Sequence, residues 1–199
     1  MKVMPYGDSA VLVEPDDPAA VLGLAAALRA EPGVAEVVPA ARTLLVRAAA
    51  DVLERLAARL PELAAGPDAE PGGAAEVVLA VRYDGPDLAA AAAGLGISAD
   101  ELVRRHAAGN YVVAFCGFVP GFAYLRGLDP ALHLARRAEP RTRVPAGSVG
   151  IAGEFTGAYP RESPGGWQLL GRTDAALWDL DRDPPALLTP GTPVRFRPA

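Results

Sequence analysis

The sequence predicts an α+β protein with a small N-terminal α/β domain over residues 1–73 and a β-rich domain over residues 74–199. Three observations predict this class of fold. Strand and helix patterns alternate in the first third of the chain, and a linker-like segment rich in Gly and Pro follows at residues 64–73. After Gly117, helix patterns nearly vanish and short apolar runs lie between Gly and Pro residues, which is typical of a β-barrel or sandwich.

The N-terminal domain is predicted to contain strands and helices in alternation. Asp17 before Pro18, and Asp51 before Glu54, are typical helix starts, because an Asp side chain accepts hydrogen bonds from the free N–H groups of a first turn. The order strand, helix, strand, strand, helix is compatible with a ferredoxin-like domain. The strands are expected at residues 11–13, 34–38 and 43–46, and the helices end near residues 30 and 63.

The second domain is predicted to begin with a strand followed by two short helices. Asp87 opens the first helix after Gly85-Pro86, and Ser98 with Glu101 forms a capping box at the start of the second. The strands of this domain are expected at residues 76–83, 111–115, 148–152, 167–171 and 194–196.

Composition and charge exclude several classes of protein. A hydrophobic fraction of 51% excludes a disordered chain, and a net charge of -5 argues against a nucleic-acid partner. We find no apolar run of the length that a signal peptide or a membrane span needs, and the single cysteine, Cys116, excludes an internal disulfide framework. The chain is therefore expected in the cytoplasm, with no membrane or nucleic-acid partner.

The sequence lacks the residues of most self-contained catalytic sites. Lys2 is the only lysine, which argues against a Schiff base or a P-loop. The two histidines, His106 and His133, have no partner at metal-ligand spacing, so no metal site is expected. None of the serines lies in a G-x-S-x-G turn, and Cys116 lies in an aromatic run and is interpreted as buried.

Strings rich in Gly, Pro and aromatic residues are the most informative part of the second domain. They are residues 115–125, 141–153, 156–160 and 163–173. Arg141 and Arg143, with Thr156 and Tyr159, could bind a carboxylate or a phosphate, because the guanidinium fork matches such anions. Alternatively, Gly and Pro only shape barrel corners and Arg side chains cap carbonyls. A local cluster of arginines likewise predicts either an anion-facing patch or an ion-paired loop. Its members are Arg126, Arg136, Arg137, Arg141 and Arg143.

In this order, the strings resemble the family of allophanate hydrolase subunit 1, also known as the 5-oxoprolinase B subunit, which includes a bacterial sporulation-kinase inhibitor. The resemblance extends to residues 83–88, to His106 and to residues 188–196, and it covers most of the predicted second domain. The N-terminal part resembles the family in layout rather than in motif. Two positions depart from the family pattern, since Ala123 stands where proline is frequent and Phe155 where a glutamine commonly precedes Thr-Gly.

This resemblance implies that the second domain is a cyclophilin-like β-barrel. It also implies a B subunit that is inactive alone and works with a homologous C subunit and an A subunit. Together they open 5-oxoproline to glutamate at the expense of ATP. The resemblance assigns ATP to the assembled complex rather than to this chain alone, and no covalently bound cofactor is expected. An exposed partner surface predicts that the isolated chain self-associates as a homo-oligomer.

The positions that match the motifs of the family give the candidate site residues. Arg141, Arg143 and His106 are the expected catalytic residues. The expected substrate-binding residues are Phe118, Pro120, Tyr124, Ser148, Thr156, Tyr159, Ser163, Trp167 and Arg172.

Two further functions remain open at the level of sequence. The kinase inhibitor in the family implies a regulator that binds a sensor histidine kinase through an exposed face of the barrel. The likeness of the family to urea carboxylase implies a carboxyltransferase-like half of a urea carboxylase or allophanate system. A neighbouring kinase gene would favour the first function, and a neighbouring biotin carboxylase gene would favour the second.

Overall fold

A computed structural model describes residues 1–64 and 75–199. The chain divides into two units, Met1–Gly73 and Ala74–Ala199. The segment predicted as a linker, residues 64–73, lies outside the described residues apart from its first residue, which ends a helix.

The N-terminal unit combines an antiparallel sheet with two helices. One side chain in two along the central strands, including Val13 and Val46, enters an apolar core shared with Leu24 and Leu56 of the helices. The sheet order is β1-β2-β4-β3. The elements are β1 (Lys2–Pro5), β2 (Ala10–Glu14), a 3-10 turn (Pro18–Ala20), α1 (Val21–Arg29), β3 (Val34–Pro39), β4 (Leu44–Ala48) and α2 (Ala50–Ala64).

The first strand, β1, has no counterpart among the predicted strands. All four of its residues are exposed, so no buried face imposes an alternating pattern on the sequence. A ferredoxin-like domain has a strand after its second helix. Here β1 pairs with β2 at the edge of the sheet, and in the described part of this unit no strand follows α2. The mixed α/β character is confirmed, whereas the ferredoxin-like order is not.

The second unit is built around a seven-stranded sheet with the order β12-β9-β10-β7-β6-β13-β5, and β8 and β11 form a separate pair. Its strands are β5 (Val77–Val81), β6 (Tyr111–Cys116), β7 (Ala123–Arg126), β8 (Arg141–Val144), β9 (Ser148–Ala152), β10 (Phe155–Ala158), β11 (Ser163–Gly165), β12 (Gln168–Arg172) and β13 (Pro193–Pro198). Its helices are α3 (Leu88–Gly94), α4 (Ala99–Ala108) and a 3-10 turn (Pro130–Leu132).

The two outer strands of this sheet meet, so that the sheet is nearly closed into a barrel. Arg82, directly after β5, exchanges two backbone hydrogen bonds with Arg172 of β12, each 2.9 Å long. Leu79, Val113 and Ile151 are fully buried in the apolar core of this unit. The interior is therefore a packed core rather than a channel.

Local signals at two helix starts are confirmed by side-chain contacts. The Asp17 carboxylate accepts from the backbone N–H of Ala19 at 2.8 Å, and the Ser98 hydroxyl accepts from the N–H of Glu101 at 3.1 Å. Within the described ranges, no helix combines the length and the apolar character needed to cross a bilayer.

Candidate functional site

The turn before α3 is fixed to strand β12 by backbone contacts. The N–H groups of Gly85 and Asp87 donate to the carbonyls of Leu170 and Leu169, at 3.0 and 3.1 Å. A Cβ on Gly85 would lie 2.3 Å from the Leu169 oxygen, so this close approach requires glycine. The turn therefore holds Asp84 and Asp87 against the barrel wall.

The buried carboxylate of Asp87 collects hydrogen bonds from two arginines. Arg141 donates from Nη1 and Nη2 at 2.9 and 2.7 Å, Arg137 donates from Nη1 at 2.9 Å, and the Leu169 N–H donates at 2.8 Å. Burial raises the pKa of Asp87. The hydrogen bonds from Arg141 and Leu169 and the two arginine charges lower this pKa by a larger amount. The net shift is downward, so the carboxylate is ionised at neutral pH.

An open cleft of about 420 Å³ lies beside this turn. The structure brings four of the predicted site residues together in its lining, and these are Arg141, Arg143, Ser148 and Arg172. Asp84 also lines the cleft and accepts a hydrogen bond from Arg172 Nη2 at 3.0 Å. This cleft is the candidate functional site.

Positive charge remains at the cleft after its internal ion pairs are formed. Arg82 and Arg172 share Asp84, at 3.2 and 3.0 Å, just as two arginines share Asp87. Each aspartate carries one negative charge and pairs with two arginines. Each group of one aspartate and two arginines therefore keeps a net charge of one positive unit. The Arg141 side chain, 23% exposed, is the more enclosed of the arginines that line the cleft. Such a cleft suits a carboxylate or a phosphate.

Arg143 contributes to the cleft in a different way from Arg141. Its side chain is 79% exposed, and its Nε lies 3.1 Å from Glu162 Oε1. An exposed ion pair of this kind contributes little to stability, because water screens both charges. Arg143 therefore lies at the rim of the cleft and can exchange its partner for a ligand.

The structure places His106, which is predicted to be catalytic, inside the core of the barrel unit. The ring is fully buried and stacks on Phe196 with their centroids 4.6 Å apart. The Thr156 hydroxyl donates to the Gly150 carbonyl, so it accepts from Nε2–H at 2.8 Å, and Nδ1 accepts from the Tyr83 hydroxyl at 2.7 Å. Burial lowers the pKa of His106 to about 3, which keeps the ring neutral. Both ring nitrogens are hydrogen-bonded inside the core and His106 does not line the cleft, so its catalytic role stays a prediction.

Five predicted substrate-binding residues are buried. Ser148 is buried although it lines the cleft, and Thr156, Tyr159, Ser163 and Trp167 are buried away from it. Tyr159 and Trp167 pack around Phe122, with ring centroids 5.1 and 5.4 Å away. The Ser163 hydroxyl donates to a nearby backbone carbonyl at 3.1 Å. The role of the last four as substrate contacts stays a prediction, since these side chains pack in the wall of the barrel and do not line the cleft.

The remaining predicted residues lie away from the arginine cleft. Tyr124 is half-buried and stacks on Phe115, with centroids 4.2 Å apart. Phe118 and Pro120 line a separate apolar groove of about 370 Å³ together with Trp178. Phe118 holds a φ of 74°, which is unusual for a bulky residue, and it is 56% exposed.

Three ion-pair partners at or beside the cleft were not among the predicted site residues. Asp84 lines the cleft, whereas Asp87 and Arg137 lie outside its lining and pair with each other beside Arg141. A signal existed for each, since both aspartates lie in the segment 83–88 that resembles the family and Arg137 lies in the arginine cluster. Their pairing was beyond sequence reasoning, because 50 to 54 residues separate Asp87 from its arginine partners.

The fold and the cleft together define a mixed α/β protein whose barrel-like unit presents an arginine-lined cleft. The family model described as carboxyltransferase domain, subdomain C and D, matches residues 1–188, and the chain belongs to this family.

Two similar proteins from bacteria are both named as the B subunit of 5-oxoprolinase. The protein from Escherichia coli O157:H7 is 57% identical over 114 residues, which are 57% of this chain and 52% of that protein. The protein from Haemophilus influenzae is 37% identical over 206 residues, covering 98% of this chain and 97% of that protein. The first match thus spans about half the length of the relative, whereas the second spans both chains. The family resemblance seen in the motifs is confirmed.

A solved structure extends the likeness at the level of fold. The crystal structure of the Kluyveromyces lactis urea amidolyase matches 99% of this chain and 15% of that chain, with a TM-score of 0.73 and 21% sequence identity. At this identity the match shows a shared fold alone.

Proposed function

We propose that this chain is the B subunit of an ATP-dependent 5-oxoprolinase, active only with an A subunit and a homologous C subunit. Relatives that match the chain bear the name of that subunit. Within residues 1–64 and 75–199, the cleft offers guanidinium groups, the buried Ser148 hydroxyl and the ion-paired Asp84 carboxylate, but no histidine, cysteine or lysine. A site that binds an anion without such a group suits one part of a shared active site.

The single observation that carries the proposal is Arg141 held at the cleft by a buried carboxylate. The five-membered lactam of 5-oxoproline is a stable amide, so its carbonyl needs activation by ATP before water attacks it. The overall reaction consumes 5-oxoproline, ATP and water and gives glutamate, ADP and phosphate. Arg141 and Arg143 would bind the carboxylate of the substrate or the oxyanion that forms, where a preorganised positive group lowers the barrier. ATP itself is assigned to the assembled complex.

The first experiment is to measure 5-oxoproline-dependent release of ADP by the purified chain, alone and mixed with the A and C subunits. We expect no release by the chain alone and turnover in the complete mixture. The mixture that lacks only this chain is the control, and it should be inactive. Stable complexes without turnover would overturn the proposal and would direct the next assay to inhibition of sensor histidine kinase autophosphorylation. Size-exclusion chromatography of the same samples tests the expected self-association of the isolated chain.

A second candidate function is the carboxyltransferase-like half of a urea carboxylase. It is supported by a 42% identical match over 64 residues to the urea amidolyase of Lachancea kluyveri, although this match covers 29% of the chain and 3% of that protein. The same mixtures tested with urea, bicarbonate and a biotin carboxylase partner distinguish the two candidates. Urea-dependent ADP release without 5-oxoproline turnover would favour the second.

The finer structural and cellular expectations belong to the same proposal. We propose a cyclophilin-like topology for the barrel unit, and a ferredoxin-like N-terminal unit in which β1 takes the edge position of the final strand. An experimental structure of the complex tests both. We also propose the cytoplasm as the site of action, which a tagged chain followed by cell fractionation would test.

A further inference from the structure

The two aspartates of the 84–87 turn differ in how tightly they hold their arginines. Asp84 is 42% exposed, and one of its oxygens, Oδ2, is shared by Arg82 and Arg172. Asp87 is only 4% exposed, and both of its oxygens receive hydrogen bonds from Arg141. A buried, two-point contact fixes a guanidinium plane, whereas an exposed contact to one oxygen leaves it free to swing.

The carboxylate of Asp87 is itself held in place by the barrel. Its Oδ2 accepts from the Leu169 N–H at 2.8 Å, and its own backbone N–H donates to the Leu169 carbonyl at 3.1 Å. Arg141 is thereby tied to strand β12 through Asp87, although it belongs to strand β8 of the smaller sheet. The position of its guanidinium group is therefore set by the main sheet.

The ion pair with Asp87 leaves several N–H donors of Arg141 unused. A guanidinium group has five N–H bonds, and the pair with Asp87 uses one on each terminal nitrogen. The second arginine on the carboxylate, Arg137, does not line the cleft but supplies a further positive charge. Asp87 therefore does not cancel the charge of Arg141, and the remaining N–H groups stay able to bind an anion.

We propose that Asp87 is a positioning residue, which orients Arg141 in the cleft for the anionic group of the substrate. The inference rests on the proposed function, because it concerns how the same cleft binds its ligand. Asp87 does not touch the substrate. It acts through Arg141, and loss of Asp87 should matter only while Arg141 is present.

The test is a double-mutant cycle on KM and kcat for 5-oxoproline in the complete A, B and C mixture. Asp87→Asn keeps the size of the side chain and removes its charge. We expect it to raise KM by about tenfold or more with a smaller change in kcat, because a misplaced guanidinium group binds the anion poorly. In an Arg141→Ala background, the same Asp87→Asn change should alter KM by no more than about twofold. Arg137→Gln is the matched control, since it removes a charge from the same carboxylate outside the cleft, and its effect on KM should be clearly smaller.

A merely structural role for Asp87 would give a different result. The Asp87→Asn effect would then persist in the Arg141→Ala background, and that outcome overturns the inference. If Asp87→Asn does not fold, Arg141→Lys replaces it, because lysine keeps the charge and loses the two-point contact. An unchanged KM for Arg141→Lys would also overturn the inference. Failure of the proposed function is recognised separately, as absence of turnover with the unaltered chain.

Discussion

The barrel unit contains two buried polar clusters that differ in their relation to the surface. In one, His106 links Tyr83 and Thr156 inside the core, and every donor of the chain of hydrogen bonds ends on a protein acceptor. In the other, Asp87 is also buried, but Arg141 extends from it to an open cleft and retains unused donors. The two clusters therefore differ in their free donors rather than in burial, and donors left over at an accessible surface are the ones that a ligand can meet.

The largest effect is expected from a substitution in the buried cluster of Tyr83, His106 and Thr156. His106→Ala removes a buried ring and leaves the Thr156 hydroxyl without its donor in the core, which should cost about 3 kcal/mol or more of unfolding free energy. Turnover of the complex at a temperature where the variant is folded should stay within about twofold of the unaltered value, as for other changes away from the site.

Urea unfolding of the isolated chain and ADP release by the complex measure these two effects. Normal stability with lost turnover would reverse the distinction between the clusters and return His106 to the active site. Thr142→Ala, an exposed change on β8, is a control for handling and assembly.

An intermediate effect should appear as a pH dependence of stability that belongs to His106. Its pKa is about 3 in the folded state and near 6.5 unfolded, so between these values the unfolded state binds more protons. Stability should be full above pH 6.5 and fall with pH below it, by about 1.4 kcal/mol per unit or about 2 kcal/mol at pH 5.

Urea midpoints measured from pH 7.5 to pH 5 check this slope. In His106→Gln, most of the slope should disappear, and an equal slope in this variant would contradict the assignment. Titration of Asp87 does not contribute to the change in stability between pH 7.5 and pH 5. Its pKa is lowered by folding, so its contribution is present above the unfolded value, near 3.9, and is lost only as pH falls through the folded value.

The smallest effect on activity is expected at the rim of the cleft that Arg141 lines. Because Arg143 is exposed and its ion pair with Glu162 is exposed as well, Arg143→Ala should raise KM for 5-oxoproline by less than about tenfold. Arg136→Ala is the matched control, since Arg136 is an exposed arginine outside this cleft, and it should leave KM within about twofold. Loss of turnover in Arg143→Ala with intact assembly would move the main anion contact from Arg141 to the rim.

Local signals account for much of the fold that could be predicted. Ser98 with Glu101 specifies its helix start through a contact three residues long, and the apolar run at 148–152 coincides with β9. The strand at Lys2–Pro5 was missed because its exposed residues carry no pattern. The strand Phe155–Ala158 was missed because a four-residue segment containing glycine offers too short a period to recognise.

Motifs predicted only part of the lining of the candidate cleft. Motifs placed Arg141, Arg143, Ser148 and Arg172 among the site residues, and the structure brings these four to one cleft. The same motifs also selected residues such as Trp167 that fill the wall of the barrel. A motif shows which residue types the family has at a position. It does not show whether that residue packs in the wall or contacts a ligand, because both roles restrict the residue type.

By itself, the sequence determined the class of fold, the family and the richness of the second unit in arginine, because these depend on local pattern and on residue type. The tertiary structure decided which polar residues are accessible and which guanidinium groups are tied to a carboxylate. Asp87 and Arg141 are 54 residues apart in the chain and 2.7 Å apart in space. Such a contact depends on how the strands are arranged around the barrel, and no short stretch of sequence encodes it.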